Sequence, residues 1–202
     1  MTTKPSVELW FEFGSVYSYL AVMRAEKEAE KFGVHVLWKP FVLGGVFKAI
    51  GHITNPMTDV KEKRDYTIRD MARQCSKYGL KWITPITLPR PGMLPLRIAM
   101  LGSDESWIGK FCRAVMEVNY GSSDDINDPD RLALILRSLE LPAEILLENA
   151  NQDETKLRLR RQTDTAREKG IFGAPTIISG PEMFWGNDRL DDALAYAAAR
   201  AS

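Results

Sequence analysis

The chain opens with a strand, a helix and a second strand, and this unit constrains the fold more than any other feature of the sequence. Residues 7–13 (V-E-L-W-F-E-F) place apolar side chains at every second position, which predicts a strand. After a Gly-Ser break, the spacing of apolar residues predicts a helix over 16–31, and then a strand over 34–38. Two strands joined through a helix lie parallel, with a right-handed crossover.

The end of the chain returns to strands. Residues 176–178 and 183–185 read as an antiparallel pair across a short turn, and Asn187 or Asp188 is expected to cap a last helix through residue 199. Together with the opening unit, the order β-α-β … β-β-α can close into one four-stranded sheet. The sequence therefore predicts the α/β class.

The middle of the chain predicts helices only. Four prolines within residues 83–95 interrupt them with an irregular segment. We find no repeat, low-complexity tract or flexible linker, so the helices should pack on the sheet. This pattern predicts a sheet domain of residues 1–43 and 170–202, and an inserted helical domain of residues 44–169. The helices are expected near 46–50, 58–78, 95–101, 105–119, 129–139, from 142, and 152–169.

Composition narrows the class of protein further. Of 202 residues, 45% are hydrophobic, and 27 basic residues balance 27 acidic ones, so no global charge favours nucleic acid or anionic lipid. Without a signal-like start or a membrane-length apolar run, we expect a cytoplasmic protein with neither nucleic-acid nor membrane partners. Only Cys75 and Cys112 are present, far apart, so we expect buried thiols, no disulfide and no metal site.

Ser15 stands where the first predicted strand passes into the first predicted helix. A helix amino terminus presents unpaired N–H groups and the positive end of the dipole, so an anion such as a thiolate is stabilised there. The serine hydroxyl could donate a hydrogen bond to the thiolate of another molecule. Serine is also a favoured amino-terminal cap, so a structural role explains Ser15 as well.

Pro175 opens the third predicted strand, in the sequence Gly-Ala-Pro-Thr. Local context alone favours a trans bond and a strand-initiating proline. A cis bond would instead leave the backbone of Ala174 free to pair with an extended peptide ligand, which is recognition by strand addition.

The segment F-W-G-N-D-R-L, residues 184–190, follows the fourth predicted strand. Gly186 permits a tight turn, and Asp188 could simply cap the last helix. The alternative is that Asp188 pairs with a ligand amino group while nearby N–H groups hold a carboxylate.

Five stretches, in this order and spacing, resemble the 2-hydroxychromene-2-carboxylate isomerases, relatives of kappa-class glutathione transferases and of DsbA-type oxidoreductases. The resemblance covers nearly the whole chain. The stretches are W-F-E-F-G-S-V-Y-S-Y-L (10–20), W-K-P-F-V-L-G-G-V-F (38–47), R-D-Y-T-I-R-D-M (64–71), G-I-F-G-A-P-T (170–176) and F-W-G-N-D-R-L (184–190).

The resemblance implies a thioredoxin-like fold with a large all-helical insertion, usually as a homodimer, and glutathione as cofactor. It implies a cis–trans isomerisation in aromatic catabolism. In that reaction the thiolate adds to an unsaturated aromatic oxo-acid, a single bond rotates, and glutathione leaves.

The resemblance also assigns site residues. It implies that Ser15 is the catalytic residue and that Pro175 is the cis-proline. Glutathione is expected to bind Val16, Tyr17, Ala174, Pro175, Trp185, Asn187, Asp188 and Arg189. The residues expected to face the second substrate are Lys48, His52 and Asn55.

Departures from the family pattern leave the second substrate open. The segment that resembles F-P-x-N-[ST] reads Leu88-Pro89-Arg90-Pro91-Gly92, and His52 follows Gly51 in a loop that often carries Asn-x-Pro-Pro. A kappa-like transferase or peroxidase acting on small electrophiles is therefore an alternative. A disulfide oxidoreductase or a non-catalytic binding relative is a third, although no cysteine occurs at positions 14–18.

Overall fold

The structure, a computed structural model, describes residues 4–49, 51 and 60–201. Its four-stranded sheet has the order β2-β1-β3-β4. Strand β1 runs parallel to β2, whereas β3 is antiparallel to both β1 and β4. The predicted α/β class and sheet are confirmed. The strands are β1 (Ser6–Phe11), β2 (His35–Pro40), β3 (Thr176–Ser179) and β4 (Glu182–Trp185).

Helices occupy most of the rest of the described chain. A wide turn over Glu117–Ser122 continues α5, and a single tight turn over Asn187–Arg189 leads into α9. The helices are α1 (Val16–Lys31), α2 (Leu43–Ala49), α3 (Lys61–Tyr78), α4 (Met93–Leu101), α5 (Ile108–Met116), α6 (Pro129–Ser138), α7 (Ala143–Asn151), α8 (Asp153–Glu168) and α9 (Leu190–Ala201).

Several helix ends follow from their local sequence. Asp128 accepts a hydrogen bond from the Asp130 N–H, and proline fills the first position of α6, as predicted. Gly79 ends α3 with φ +67°, a backbone conformation that glycine adopts without strain. No helix in the described part of the chain is long and apolar enough to cross a membrane.

Several predicted boundaries were wrong, and the helix predicted from residue 46 begins at Leu43. Strand β1 ends at Phe11 and not at residue 13, because the backbone leaves the sheet there and the Ser15 N–H turns back to the Glu12 carbonyl at 3.1 Å. The helix predicted from residue 105 begins at Ile108, and beyond Met116 it widens into the turn that carries Asn119 and Tyr120.

Both faces of the sheet are buried. Leu9 and Phe11 belong to the main core, whereas Trp10, which points to the opposite face, packs against Phe41 at 6.1 Å between ring centroids. Helix α8 closes that second face, and its Thr163 hydroxyl accepts the Val42 N–H at 3.1 Å. In a sheet with one face open to water, the alternation of side chains along each strand makes that face polar. Here helix α8 and the loop before α2 cover the second face instead.

Candidate active site

Ser15 connects the start of α1 with the segment before β3 through a hydrogen bond. Its backbone is extended, and its Oγ accepts the Ser18 N–H at 3.2 Å, so it caps α1. The same hydroxyl donates to the carbonyl of Ala174 at 2.8 Å, across 159 residues of sequence. Ser15 therefore has the structural role of a cap, and its oxygen lies beside the backbone of Ala174. Its catalytic role stays a prediction.

The amino end of α1 is suited to an anion. The first turn contains no acidic residue, so no side chain of this turn neutralises the helix dipole there. The N–H groups of Val16 and Tyr17 begin the helix, where an α-helix has no internal acceptors for them. Val16 as a whole is only 2% exposed, so its contact with a ligand stays a prediction.

The Ala174–Pro175 peptide bond is cis, in agreement with the resemblance and against the local preference for trans. The Pro175 carbonyl accepts the Gly186 N–H at 3.0 Å. The hydroxyl of Thr176 donates to the Gly173 carbonyl at 2.9 Å. Short-range hydrogen bonds thus fix the backbone on both sides of this proline.

The segment after β4 returns to the same place. Gly186 has φ +113°, which is why a glycine suits this turn. Asp188 is exposed and forms an ion pair with Arg189 at 3.1 Å, and Arg189 also binds Asp192 at 2.8 Å. Asn187 is buried, and its side-chain oxygen accepts a hydrogen bond from Arg24 at 2.9 Å.

Parts of these segments line one cleft of about 590 Å³, a size typical of small-molecule sites. Ser15 does not itself line the cleft, but its hydroxyl contacts Ala174, which does. One wall of the cleft consists of Ala174, Pro175 and residues 185–188. Tyr17 and Leu20 of α1 also line the cleft. Six of the eight predicted glutathione-binding residues are therefore brought together in a single cavity, whereas Val16 and Arg189 do not line it. The six are Tyr17, Ala174, Pro175, Trp185, Asn187 and Asp188.

Helix α3 supplies a wall that residue patterns did not assign, through Tyr66, Asp70 and Gln74. The Tyr17 hydroxyl donates to Asp70 at 2.9 Å. Burial, and then the Asp70 carboxylate, raise the pKa of Tyr17, so this hydroxyl stays protonated. Tyr66 and Asp70 lie within residues 64–71, one of the stretches that carry the resemblance. This stretch was the only signal in the sequence that α3 contributes to the site.

Trp185 lies at the rim of the cleft and is 55% exposed. Its ring meets Phe172 edge-on, with 4.9 Å between centroids. A Cβ at Gly173 would lie 2.3 Å from the Trp185 Nε1, so only glycine leaves room for this indole. The Phe172–Trp185 pair thus forms an aromatic wall beside Ala174.

Of the three predicted substrate residues, the structure describes only Lys48. Lys48 is exposed in the last turn of α2 and does not line the cavity that the described residues form. His52 and Asn55 lie outside the described residues. Their roles stay predictions.

Glu12 is a residue near the site that sequence reasoning missed. It is only 8% exposed, and burial raises its pKa to about 7, against a smaller lowering by the Gly14 N–H. A Cβ at Gly14 would lie 3.2 Å from its Oε1. The signal in the sequence is an acid three residues before Ser15, directly after a strand whose two faces are both buried.

A β-α-β … β-β-α sheet, with a cis-proline facing the capped start of its first helix, defines a thioredoxin-fold protein with a ligand cleft. The model of the DSBA-like thioredoxin domain matches residues 6–198. The chain therefore belongs to the DsbA-like thioredoxin family.

Comparisons with individual proteins are more specific. The 2-hydroxychromene-2-carboxylate isomerase of Pseudomonas putida is 29% identical over 185 residues, covering 91% of this chain and 90% of that protein. A solved 2-hydroxychromene-2-carboxylate isomerase superposes with a TM-score of 0.86 at 28% identity, covering 96% of this chain and 95% of the other. Glutathione S-transferase kappa 2 of Caenorhabditis elegans is 25% identical, covering 98% of this chain and 94% of that protein.

Proposed function

We propose that this protein is a glutathione-dependent cis–trans isomerase of the 2-hydroxychromene-2-carboxylate type. The observation that carries the proposal is a serine, and not a cysteine, at the capped start of α1, hydrogen-bonded to the residue before a cis-proline. The similarity to isomerases along nearly the whole chain supports the reaction type.

Glutathione fits the chemistry of the cleft. It is an extended tripeptide, and the backbone at Ala174–Pro175 offers a strand-like edge for such a ligand. Asp188 is an exposed carboxylate on the cleft wall that can pair with the γ-glutamyl amino group. Tyr17 and Gln74 add polar side chains on the opposite wall.

Ser15 would change partner when the sulfur anion is present. A hydroxyl has one proton, and in the structure that proton is directed to the Ala174 carbonyl. When Ser15 donates to sulfur, the Ala174 carbonyl is free to accept an N–H from an extended peptide. The Ser18 N–H keeps the Ser15 oxygen in place during this exchange, because the oxygen can accept and donate at once.

When bound, glutathione would supply a thiolate nucleophile that can add reversibly to a conjugated double bond. The chain's own part is to lower the cost of the sulfur anion. Ser15 supplies one hydrogen bond to it, and the start of α1 supplies the positive end of its dipole. The substrate class proposed is an unsaturated aromatic oxo-acid.

The test is isomerisation of 2-hydroxychromene-2-carboxylate, followed by absorbance with the purified chain. We expect turnover with glutathione, and none without it or with S-methylglutathione, which fills the same cleft but has no ionisable thiol. Equal turnover in all three mixtures would show that the thiol has no role and would overturn the proposal.

A kappa-like transferase is the second candidate, because the nematode transferase is similar over almost the whole chain. Conjugation of chlorodinitrobenzene to glutathione distinguishes the two. Rapid conjugation without isomerisation would favour the transferase. Homodimerisation also stays a prediction, and sedimentation velocity of the purified chain tests it.

A further inference from the structure

We propose that Arg24 is a positioning residue for glutathione, which acts by fixing the 186–191 turn from inside the protein. The proposal rests on the function proposed above. Arg24 lies on α1, nine residues after Ser15, which places it about 13 Å further along the helix. It therefore acts away from the sulfur end of the cleft.

Arg24 is buried among partners that bind both terminal nitrogens of its guanidinium group. Its side chain is only 10% exposed. Nη1 donates to the Asn187 side-chain oxygen at 2.9 Å and, less closely, to the Asn187 carbonyl at 3.4 Å. Nη2 donates to both carboxylate oxygens of Asp191, at 3.2 and 3.1 Å. The Arg24 Cζ also lies over the Tyr78 ring, 4.1 Å from its centroid.

This arrangement requires an arginine. Lysine has one ammonium group on a flexible stem and cannot present two parallel pairs of donors in a fixed plane. The fork binds Asn187 at the start of the turn and Asp191 in the first turn of α9, and so sets the angle between them. Tyr78 belongs to α3, the helix whose Asp70 and Gln74 form the facing wall.

Arg24 binds the same turn that lines the cleft. Gly186, Asn187 and Asp188 all line the cleft, whereas Arg24 does not. The Gly186 N–H is tied to the Pro175 carbonyl at 3.0 Å, so the turn is anchored at one end by the cis-proline segment. Arg24 anchors the other end. Without it, Asp188 would lose the fixed position from which it can pair with a ligand amino group.

The experiment compares Arg24→Met and Arg24→Lys with the wild type in glutathione calorimetry and in steady-state isomerisation. We expect the glutathione Kd and KM to rise about tenfold or more for Arg24→Met, with kcat at saturating glutathione retained within about threefold. Arg24→Lys should lie between the two. The matched control is Arg113→Met, which removes an ion pair from α5 to Glu26 on the same helix α1, away from the 186–191 turn, and should leave both constants unchanged.

A double-mutant cycle separates positioning from general destabilisation. If Arg24 acts through Asn187, the KM of Arg24→Met combined with Asn187→Ala rises less than the product of the single effects. If Arg24 has only a structural role, Arg24→Met lowers the melting temperature, and the effects of the two substitutions on KM multiply. Circular dichroism checks that each variant is folded, and Arg24→Lys carries the test if Arg24→Met is not.

Failure of this proposal can be told from failure of the proposed function. If wild-type protein binds glutathione and the folded Arg24 variants bind it equally well, or lose kcat with an unchanged KM, the positioning role is wrong. If the wild type itself does not bind glutathione, the proposed function is wrong, and the positioning role is lost with it.

Discussion

The Ser15 hydroxyl has one proton, which it already donates to the Ala174 carbonyl. Any catalytic role for Ser15 as a donor therefore requires a change of partner. The same oxygen caps α1 through the Ser18 N–H. A substitution at this residue therefore acts on stability and on activity by separate routes, and the two effects can be measured apart.

We expect Ser15→Ala to lower kcat about 100-fold, because one hydrogen bond to a developing anion is lost. Loss of the cap should lower the free energy of unfolding by only about 1 kcal/mol. Isomerase kinetics and urea unfolding measure the two effects. Ser15→Thr keeps a hydroxyl and a capping oxygen, and is the matched control. A normal kcat in folded Ser15→Ala would remove Ser15 from the mechanism.

Glu12 is expected to make stability depend on pH. Its pKa is raised from 4.5 to about 7 in the folded chain, so between these values the native state holds a proton that the unfolded state has lost. The contribution of Glu12 to stability is therefore greatest below pH 4.5 and falls as the pH rises towards 7, by about 3 kcal/mol at most.

Glu12→Gln mimics the protonated acid, so it should remove this part of the pH dependence. Urea unfolding at pH 5 and at pH 8 checks it, and we expect the variant to gain on the wild type at pH 8. Glu182→Gln replaces an exposed acid of β4 and should not change the profile. A wild-type stability that is flat between pH 5 and 8 would contradict the assignment.

At the scale of elements, β4 and the segment before β3 shape the cleft through Gly173. A Cβ at this position would overlap the Trp185 indole, so Gly173→Ala must displace that ring. We expect a changed tryptophan emission spectrum and a rise in the glutathione Kd of about tenfold, since a wall of the cleft moves.

Gly121→Ala is the control for Gly173→Ala. A Cβ there would meet the Lys81 side chain at 3.6 Å, which is ordinary van der Waals contact. Emission and Kd should both be unchanged in this variant. If Gly173→Ala binds glutathione as the wild type does, the Phe172–Trp185 wall is not part of the glutathione site.

Local sequence predicted the elements better than their ends or their faces. The order of strands and most helix limits followed from alternation, caps and terminal glycines, as at Asp128 and Gly79. The end of β1 did not, because it is set by Asn119 and Tyr120, which donate to the Phe13 carbonyl from a turn more than 100 residues away.

The candidate site shows the same division. Ser15, Pro175 and the 184–190 segment could be assigned from motifs that the resemblance supplied. Asp70, Gln74 and Arg24 could not, because helical periodicity cannot tell which polar side chain faces a cleft and which faces water. Arg24 in particular reads as a surface arginine until its partners at Asn187 and Asp191 are known.

On the scale of the whole molecule, the sheet and the inserted helices share one core. Phe13, two residues beyond β1, packs edge-on against Phe111 of α5, with 6.4 Å between ring centroids. Leu9 and Leu136 belong to the same buried cluster. The division into residues 1–43 with 170–202 and residues 44–169 stays a prediction about chain architecture, and the shared core argues that the two parts melt together.

We therefore expect one calorimetric unfolding transition, which glutathione shifts as a whole. The cleft is lined by α1, α3 and the 174–188 region together, so a ligand there binds only the complete fold. At a glutathione concentration of about 100 times Kd, the gain is about 2.7 kcal/mol. For a chain of this length that corresponds to a rise in Tm of about 5–10 °C. An equal concentration of oxidised glutathione, which has no free thiol, should shift Tm less. Two transitions of which glutathione moves only one would show that the helical part contributes no wall to the cleft, because a ligand stabilises only the unit that it binds.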